Sequence, residues 1–200
     1  MVRIFSLNTY LTGLIGLLAV FGDYLVAHTN LHIFQAIFDN ATHGIIGGVS
    51  WFLVRHNFKN VSAVDTINEV AACTFIACFI DIDHFLKAKS IYLEDATNLS
   101  SRPFLHCSTY PFLLSILFLT ISYAYQINKL KVAGLLMLTA FASHHTRDAT
   151  RRGYWFHPFG STPPIPYIVY VGLTCIIPYV ICVFYSIIKI EHNSDKIDVI

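Results

Sequence analysis

Six stretches of mostly apolar residues alternate with shorter polar segments along the chain. A membrane-spanning helix needs about 20 such residues, and each stretch comes close to that length. The predicted spans are residues 11–26, 38–54, 67–86, 110–125, 132–148 and 167–188. The fifth is the weakest, because only its first half is apolar. The pattern predicts an all-α fold, a polytopic transmembrane helix bundle with about five to six spans.

The composition also favours a protein embedded in the lipid bilayer. Hydrophobic residues make up 55% of the 200 residues and charged residues 12%, whereas soluble domains carry about 25% charged residues. We expect a single transmembrane domain over residues 1–200 and a multi-pass integral membrane location. The net charge of +1, without a basic stripe, argues against nucleic acid as a partner. Four of the five cysteines lie in apolar runs, which is typical of small packing residues.

Several ionisable residues fall inside or at the ends of the predicted spans, and nearly all are His or Asp. Such groups are costly in a membrane and are therefore candidates for function. Three pairs have a spacing of three or four residues, which places both members on one helix face. The pairs are Asp39 with His43, Asp81 with His84, and His144 with Asp148, while His106 opens the fourth span. Asp83 would point elsewhere unless the helix breaks there.

These polar groups all fall at the same membrane face when the six spans alternate in direction. His43 is near the start of the second span, Asp81 at the end of the third, and His106 at the start of the fourth. Histidine nitrogens and aspartate oxygens are suitable ligands for a divalent metal ion, with zinc or manganese expected. An open coordination position could then hold a water molecule of lowered pKa. The sequence therefore predicts a metal site in one layer of the bundle.

Other polar residues have simpler interpretations. A single histidine at a membrane boundary is usually an interfacial residue. We assign no site role to His28, His32, His56, His157 and His192. Asp23 is interpreted as a helix-end residue, although it lies at the same predicted face.

Four short motifs occur in an order that resembles a known family. They are Thr42-His43-Gly44-Ile45-Ile46-Gly47, Asp81-Ile82-Asp83-His84, Arg102-Pro103-Phe104-Leu105-His106-Cys107-Ser108 and Ser143-His144-His145-Thr146-Arg147-Asp148. The set resembles the bacterial LexA-regulated inner-membrane family of metal-dependent hydrolases. That family's elements are roughly Thr-His-x-x-x-Gly, Asp-x-Asp-His, His-Arg-Gly-x-Thr-His-Ser and Ser-His-x-x-x-Asp. The chain departs from them at Ser101 and Leu105, where the family has His and Thr.

The resemblance implies a set of metal ligands and a hydrolytic function. The implied ligands are His43, Asp81, Asp83, His84, His106, His144 and Asp148. Asp83 would be a ligand, an orienting residue or a general base, and Arg102 or Arg147 would hold an anionic group. We expect a metal-dependent hydrolase that acts on a lipid or another phosphoester. The alternative is a non-enzymatic scaffold or a proton-coupled transport protein, in which the same residues form a polar cluster.

Overall fold

The computed structural model describes residues 6–58 and 61–188 of the chain. Within these residues the fold is almost entirely helical, which confirms the predicted all-α class. The helices are α1 (Leu7–His28), α2 (His32–His56), α3 (Ala63–Phe79), α4 (Ile82–Ala88), α5 (Leu93–Thr97), α6 (Thr109–Tyr125), α7 (Asn128–Arg152) and α8 (Tyr167–Ile187). A 3-10 turn at Phe104–His106 precedes α6, and a small antiparallel hairpin, β1 (Trp155–Phe156) with β2 (Gly160–Ser161), follows α7.

Among residues 6–58 and 61–188, three helical stretches are long and apolar enough to cross a membrane. They are Leu7–His28, Ala63–Ala88 and Tyr167–Ile187. A fourth apolar helix, α6, has 17 residues and is about 26 Å long, close to the thickness of the hydrocarbon core. Large apolar side chains on the outer surface, such as Leu17, Phe75 and Ile168, are more than half exposed. Such a surface is expected where a helix faces lipid rather than water.

The remaining two predicted spans form the centre of the bundle. α2 packs against α1, α3, α7 and α8, and α7 packs against α2, α3, α6 and α8. Each has 25 residues, which is long enough to cross the hydrocarbon core. Their sequences are less apolar than those of the outer helices. They can contain more polar residues because the surrounding helices shield these side chains from lipid.

Glycines allow α2 and α3 to approach closely. Gly44 and Gly48 are four residues apart on α2 and face Cys78 and Thr74 of α3. A Cβ atom at either glycine would overlap the facing side chain. Small residues at this spacing are common where membrane helices pack tightly. The close contact fixes the position at which the C-terminal end of α3 meets α2.

The third predicted span is bent near its end rather than being one straight helix. α3 ends at Phe79, and α4 begins at Ile82 after a turn that includes Asp81. The sequence alone left Asp83 pointing away from the other polar residues unless the helix broke. The break occurs, and it turns Asp83 inward, where the residue is only 5% exposed.

Candidate metal centre

Four separate segments bring His and Asp side chains together at one end of the bundle. Two groups of three have ligand atoms within 4.8 Å of one another: His43, His144 and Asp148, and Asp81, His84 and His106. The two groups are continuous, because His106 Nε2 lies 3.3 Å from both His144 Nε2 and Asp148 Oδ2. The structure thus brings together in these groups six of the seven residues implied as metal ligands, all except Asp83.

Four donor atoms at the centre of this cluster have nearly equal spacing. His106 Nε2 lies 3.4 Å from Asp81 Oδ1 and 3.3 Å from Asp148 Oδ2. His144 Nε2 lies 3.5 Å from the same Asp81 oxygen and 3.2 Å from the same Asp148 oxygen. Ligands that stand about 2.0–2.1 Å from a tetrahedral zinc ion are about 3.3 Å from one another. These four histidine–aspartate distances, together with the 3.3 Å between the two Nε2 atoms, match the ligand–ligand spacing of a tetrahedral zinc site.

Within the described parts of the chain, the carboxylates of the cluster have no arginine or lysine in direct contact with them. Asp81, Asp83 and Asp148 form ion pairs only with histidines, and no arginine or lysine of the described residues lies within 4 Å of them. Three buried or partly buried carboxylates repel one another unless protons or a metal ion supply positive charge. The charge of the cluster therefore fits a bound divalent cation.

The side chain of His144 is held in the orientation that a metal ligand needs. Its Nδ1 atom donates a hydrogen bond to the carbonyl oxygen of Ala77, at 2.9 Å. With the proton on Nδ1, the lone pair of Nε2 faces the other donors. Metal-binding histidines are commonly fixed in this way by a backbone carbonyl or a carboxylate. Because α3 ends at Phe79, the Ala77 carbonyl lies in the last helical turn and can accept this hydrogen bond.

Asp83 orients His106 from the side opposite the cluster. Its Oδ1 atom lies 3.2 Å from His106 Nδ1, and its Oδ2 atom accepts a hydrogen bond from the backbone N–H of Leu105. Burial lowers the pKa of His106, but the hydrogen bonds that its ring N–H groups donate to Asp148, Asp81 and Asp83 outweigh burial and raise the pKa to about 11. Of the three roles considered for Asp83, the geometry favours that of orienting a ligand.

Asn40 supports Asp81 in the same manner, a role that the sequence analysis did not predict. The side-chain amide donates to Asp81 Oδ2 at 3.0 Å and to the carbonyl oxygen of Cys78 at 2.8 Å. These bonds engage one carboxylate oxygen and leave Oδ1 toward the two histidines. Asn40 lies three residues before His43 and therefore on nearly the same face of α2. This spacing is the signal from which its role could have been predicted.

Arg147 is fully engaged by two aspartates. Its guanidinium lies 2.8 Å from Asp23 Oδ1 and 2.6 Å from Asp39 Oδ1, and it donates at 3.1 Å to His43 Nε2. Asp23 is thus not a simple helix-end residue as expected, because its carboxylate joins α1 to α7. Arg151 pairs with Asp39 through two further contacts. The prediction that Arg147 holds an external anion stays a prediction, and its present partners leave little room for one.

His43 and His84 lie at the two edges of the cluster. The ring of His43 stacks on His144, with centroids 3.7 Å apart, and its Nε2 atom lies 3.5 Å from Asp148 Oδ1. His84 Nδ1 is 3.4 Å from Asp83 Oδ1 but 3.9 Å from Asp81 Oδ1. Neither histidine has the short contacts to several donors that His106 and His144 have.

His145 and Arg102 fix the loop that contains His106. His145 Nε2 contacts the carbonyl oxygen of Leu105, and its Nδ1 contacts the Ser108 hydroxyl, both at 2.9 Å. Arg102 donates to the carbonyl oxygens of Gly153 and Arg152 at the end of α7. Gly153 has a φ of 69° and lies against the backbone of Thr162, so only glycine fits there without strain. These contacts place His106 against α7.

A cavity of about 940 Å³ leads to the cluster. Asp81, His84, His106 and Asp148 form part of its wall, together with the first half of α2, the α4–α5 segment and the end of α7. A water molecule or a substrate can therefore reach the donor atoms from one side. A catalytic metal site needs such an open side, whereas a structural site is closed by protein ligands.

Comparison with known proteins identifies relatives named transmembrane protein 267. The chain is 39% identical to that protein of Mus musculus over 154 residues, which are 75% of this chain and 68% of the relative. It is 39% identical to the protein of Xenopus laevis over 150 residues, which are 73% of this chain and 66% of the relative. For Bos taurus the identity is 38% over 154 residues, 75% of this chain and 68% of the relative.

No protein-family model and no solved structure matches the chain. The resemblance to the bacterial hydrolases therefore stays a prediction from four motifs. The name of the relatives agrees with the three long apolar helices, and the protein is an integral membrane protein. The identity and the coverage together show that the chain belongs to the transmembrane protein 267 family.

Proposed function

We propose that the protein is a membrane-embedded, metal-dependent hydrolase. The observation that carries the proposal is that each of two histidine nitrogens lies 3.2–3.5 Å from the same two carboxylate oxygens. The four atoms are Asp81 Oδ1, His106 Nε2, His144 Nε2 and Asp148 Oδ2. Two nitrogen and two oxygen donors in this arrangement favour zinc, with manganese as the second choice. The motif resemblance to bacterial metal-dependent hydrolases agrees with the same residues.

The surrounding residues preorganise the four donors for metal binding. Asn40 and the Ala77 carbonyl fix Asp81 and His144, while Asp83 fixes His106. A preorganised set loses little conformational entropy on binding, and outer partners of this kind typically change metal affinity by about 10–100-fold. His43 supports the set by stacking on the ring of His144.

A bound zinc ion supplies a strong positive charge and lowers the pKa of a coordinated water to about 7. The cavity leaves one side of the cluster open, where an ester substrate would bind. In the hydrolysis, the water oxygen bonds to the phosphorus or acyl carbon, the ester bond breaks, and the leaving oxygen gains a proton.

His84 is well placed to move that proton. It lines the cavity, and its Nδ1 faces Asp83 Oδ1, so that a proton on Nδ1 leaves Nε2 as the exchanging atom. A buried carboxylate behind a histidine is a common way to fix the tautomer of an acid–base residue. We therefore assign His84 to proton transfer and the four central donors to metal binding.

The experiment that tests this function measures ester hydrolysis by the detergent-purified protein. The substrates are p-nitrophenyl phosphate, bis-p-nitrophenyl phosphate and p-nitrophenyl acetate, with and without zinc or manganese. We expect metal-dependent turnover that Asp148→Asn abolishes, while His84→Gln retains the metal but loses at least about tenfold in kcat. Hydrolysis that is equal in wild-type and Asp148→Asn, or that is absent from a metal-loaded protein, would contradict a hydrolase.

A second candidate function is proton-coupled transport, in which the same carboxylates and histidines bind protons instead of a metal ion. If only protons compensate the carboxylates, His106 holds one of them, and the cluster becomes a proton-binding site of the kind found in transport proteins. Proton flux into liposomes that contain the protein, lost in His106→Ala, would favour this alternative. A bound stoichiometric metal would exclude it.

A further inference from the structure

The cavity beside the metal centre has an apolar wall that reaches the outer surface of the bundle. Ile33 and Ile37 of α2 line it and are also 53% and 49% exposed on the outside. Phe85 and Leu93 line the facing side, on α4 and α5. In an integral membrane protein, exposed isoleucines on a helix face the acyl chains of lipids. The cavity is thus bordered by surface that touches the bilayer.

The segment that covers this side of the cavity also has an apolar outer surface. Leu86, Ile91 and Tyr92 are 71%, 87% and 71% exposed, which is unusual for side chains that face water. α4 and α5 are short helices of seven and five residues. Both helices line the cavity, and their exposed apolar side chains suit contact with the bilayer better than contact with water.

Two arginines also line the cavity without being directly paired to a carboxylate of the described residues. Arg102 and Arg152 both line the cavity, and in the part of the chain that the structure describes neither forms an ion pair with Asp or Glu. Burial and the nearby charge of Arg152 lower the pKa of Arg102. Two like charges kept side by side are a feature of anion-binding sites, and guanidinium groups suit phosphate oxygens in particular.

The size of the cavity exceeds what a small anion needs. Its volume of about 940 Å³ lies near the upper end of the range for small-molecule sites, roughly 300–1,000 Å³. Inorganic phosphate would fill a small fraction of it and would leave the apolar wall without a partner. A ligand with a charged head and an apolar body matches both walls.

We propose that the cavity binds a membrane lipid with a phosphomonoester headgroup, which enters from the bilayer beside Ile33 and Ile37 and is held by Arg102 and Arg152. The assignment rests on the proposed function, because it names the substrate class of the same site. The acyl chains lie along the isoleucines, and the phosphate lies between the arginines and the four metal-binding donors. A soluble phosphoester lacks the apolar contacts and binds more weakly.

Quenching of tryptophan fluorescence tests this inference. The chain has two tryptophans: Trp155 lines the cavity, whereas Trp51 is buried in the core of the bundle. The protein in detergent micelles is titrated with phosphatidic acid or phosphatidylcholine, both brominated on their acyl chains. Because the two lipids have the same chains, lipid that merely surrounds the protein quenches equally. Trp155→Phe identifies the signal that comes from the cavity.

We expect phosphatidic acid to quench at about tenfold lower mole fraction than phosphatidylcholine, as the loss of one or two charge-assisted hydrogen bonds implies. Arg152 is exposed, so Arg152→Gln should fold and reduce this preference. Lys129→Gln, which removes an exposed charge at the other end of α7, should leave the preference unchanged. Arg102→Gln is a secondary variant, because it also removes hydrogen bonds to backbone carbonyls and can change the local structure.

Equal quenching by the two lipids in the wild-type protein would overturn the inference. Full relief of quenching by excess inorganic phosphate would also overturn it, because it would identify a site for free phosphate. Both results can be separated from failure of the hydrolase. Turnover of p-nitrophenyl phosphate without lipid preference removes only the lipid assignment, whereas lipid preference without any turnover removes only the enzymatic function.

Discussion

The Nε2 atoms of His106 and His144 face each other at 3.3 Å across the centre of the cluster. One histidine comes from a 3-10 turn and the other from the middle of α7, 38 residues later in the chain. Two unprotonated nitrogens cannot approach so closely without a proton or a metal ion between them, because their lone pairs repel. The close approach of the two nitrogens therefore requires a cation between them, either a proton or a metal ion.

Asn40 should matter for metal affinity although it is not a ligand. Asn40→Ala removes the hydrogen bond that fixes Asp81, and we expect the zinc Kd to rise by about 10–100-fold. Isothermal titration of the purified protein with a competing chelator measures this change. Asn128→Ala, at the exposed start of α7, is the control and should leave the Kd unchanged. An unchanged Kd in Asn40→Ala would show that Asp81 does not need this support.

Removing the charge of Asp83 should lower the affinity for zinc, whereas removing the charge of Asp148 should lower the number of zinc ions bound. Asp83→Asn weakens the hold on His106, so zinc should still bind at full stoichiometry but about 10–100-fold more weakly. Asp148→Asn removes a donor, and the stoichiometry itself should fall at the same zinc concentration. Elemental analysis and chelator competition separate the two quantities. Loss of stoichiometry in Asp83→Asn equal to that in Asp148→Asn would identify Asp83 as a ligand instead.

Arg147 should stabilise the bundle independently of metal. Its side chain is only 2% exposed, and Arg147→Gln leaves Asp23 and Asp39 without their buried partner. We expect the free energy of unfolding to fall by about 3–5 kcal/mol, as for other broken buried ion pairs. Denaturation in mixed micelles, followed by helical circular dichroism, measures it.

Arg151 provides the control for that measurement. It pairs with the same Asp39 but is 51% exposed, so Arg151→Gln should cost less than about 1 kcal/mol. Equal destabilisation by the two variants would mean that the Asp23–Arg147–Asp39 network does not join α1, α2 and α7 as the contacts indicate.

Metal uptake should release protons at neutral pH. The pKa of His106 is raised to about 11 in the metal-free protein, so this residue is protonated at pH 7 and must lose its proton to become a ligand. We expect about one proton per zinc ion, and an apparent affinity that rises about tenfold per pH unit between roughly pH 6 and 8. Calorimetry in buffers of different ionisation enthalpy counts the protons. His106→Ala should release fewer, and no release from the wild type would contradict the assignment of His106.

Much of the fold could be predicted from the sequence, because hydrophobic runs of near-membrane length are a strong signal. All six predicted spans coincide with helices, and the Asp39–His43 and His144–Asp148 spacings correctly placed each pair on one helix face. The prediction that the polar groups share one end of the bundle also followed from simple alternation of spans. These features depend only on local periodicity and on the direction of each helix.

The rest of the site depends on tertiary contacts that no local pattern contains. The break near Asp81, which turns Asp83 inward, directly follows the segment of α3 that packs against Gly44 and Gly48 of α2. Asp23 looked like a helix-end residue because its partner, Arg147, lies 124 positions away. The sequence therefore identified the donor types, whereas their supporting partners required the structure.

The most direct test of the account is the metal content of the detergent-purified protein after expression with zinc and manganese, determined by elemental mass spectrometry. We predict about one ion per chain in the wild type, as a single tetrahedral site requires. The His106→Ala, His144→Ala double variant should lose it, whereas the His28→Ala, His56→Ala control, at two exposed histidines, should retain it. Absence of metal from the wild type, or equal metal in all three proteins, would contradict the metal centre and leave a proton-holding polar cluster.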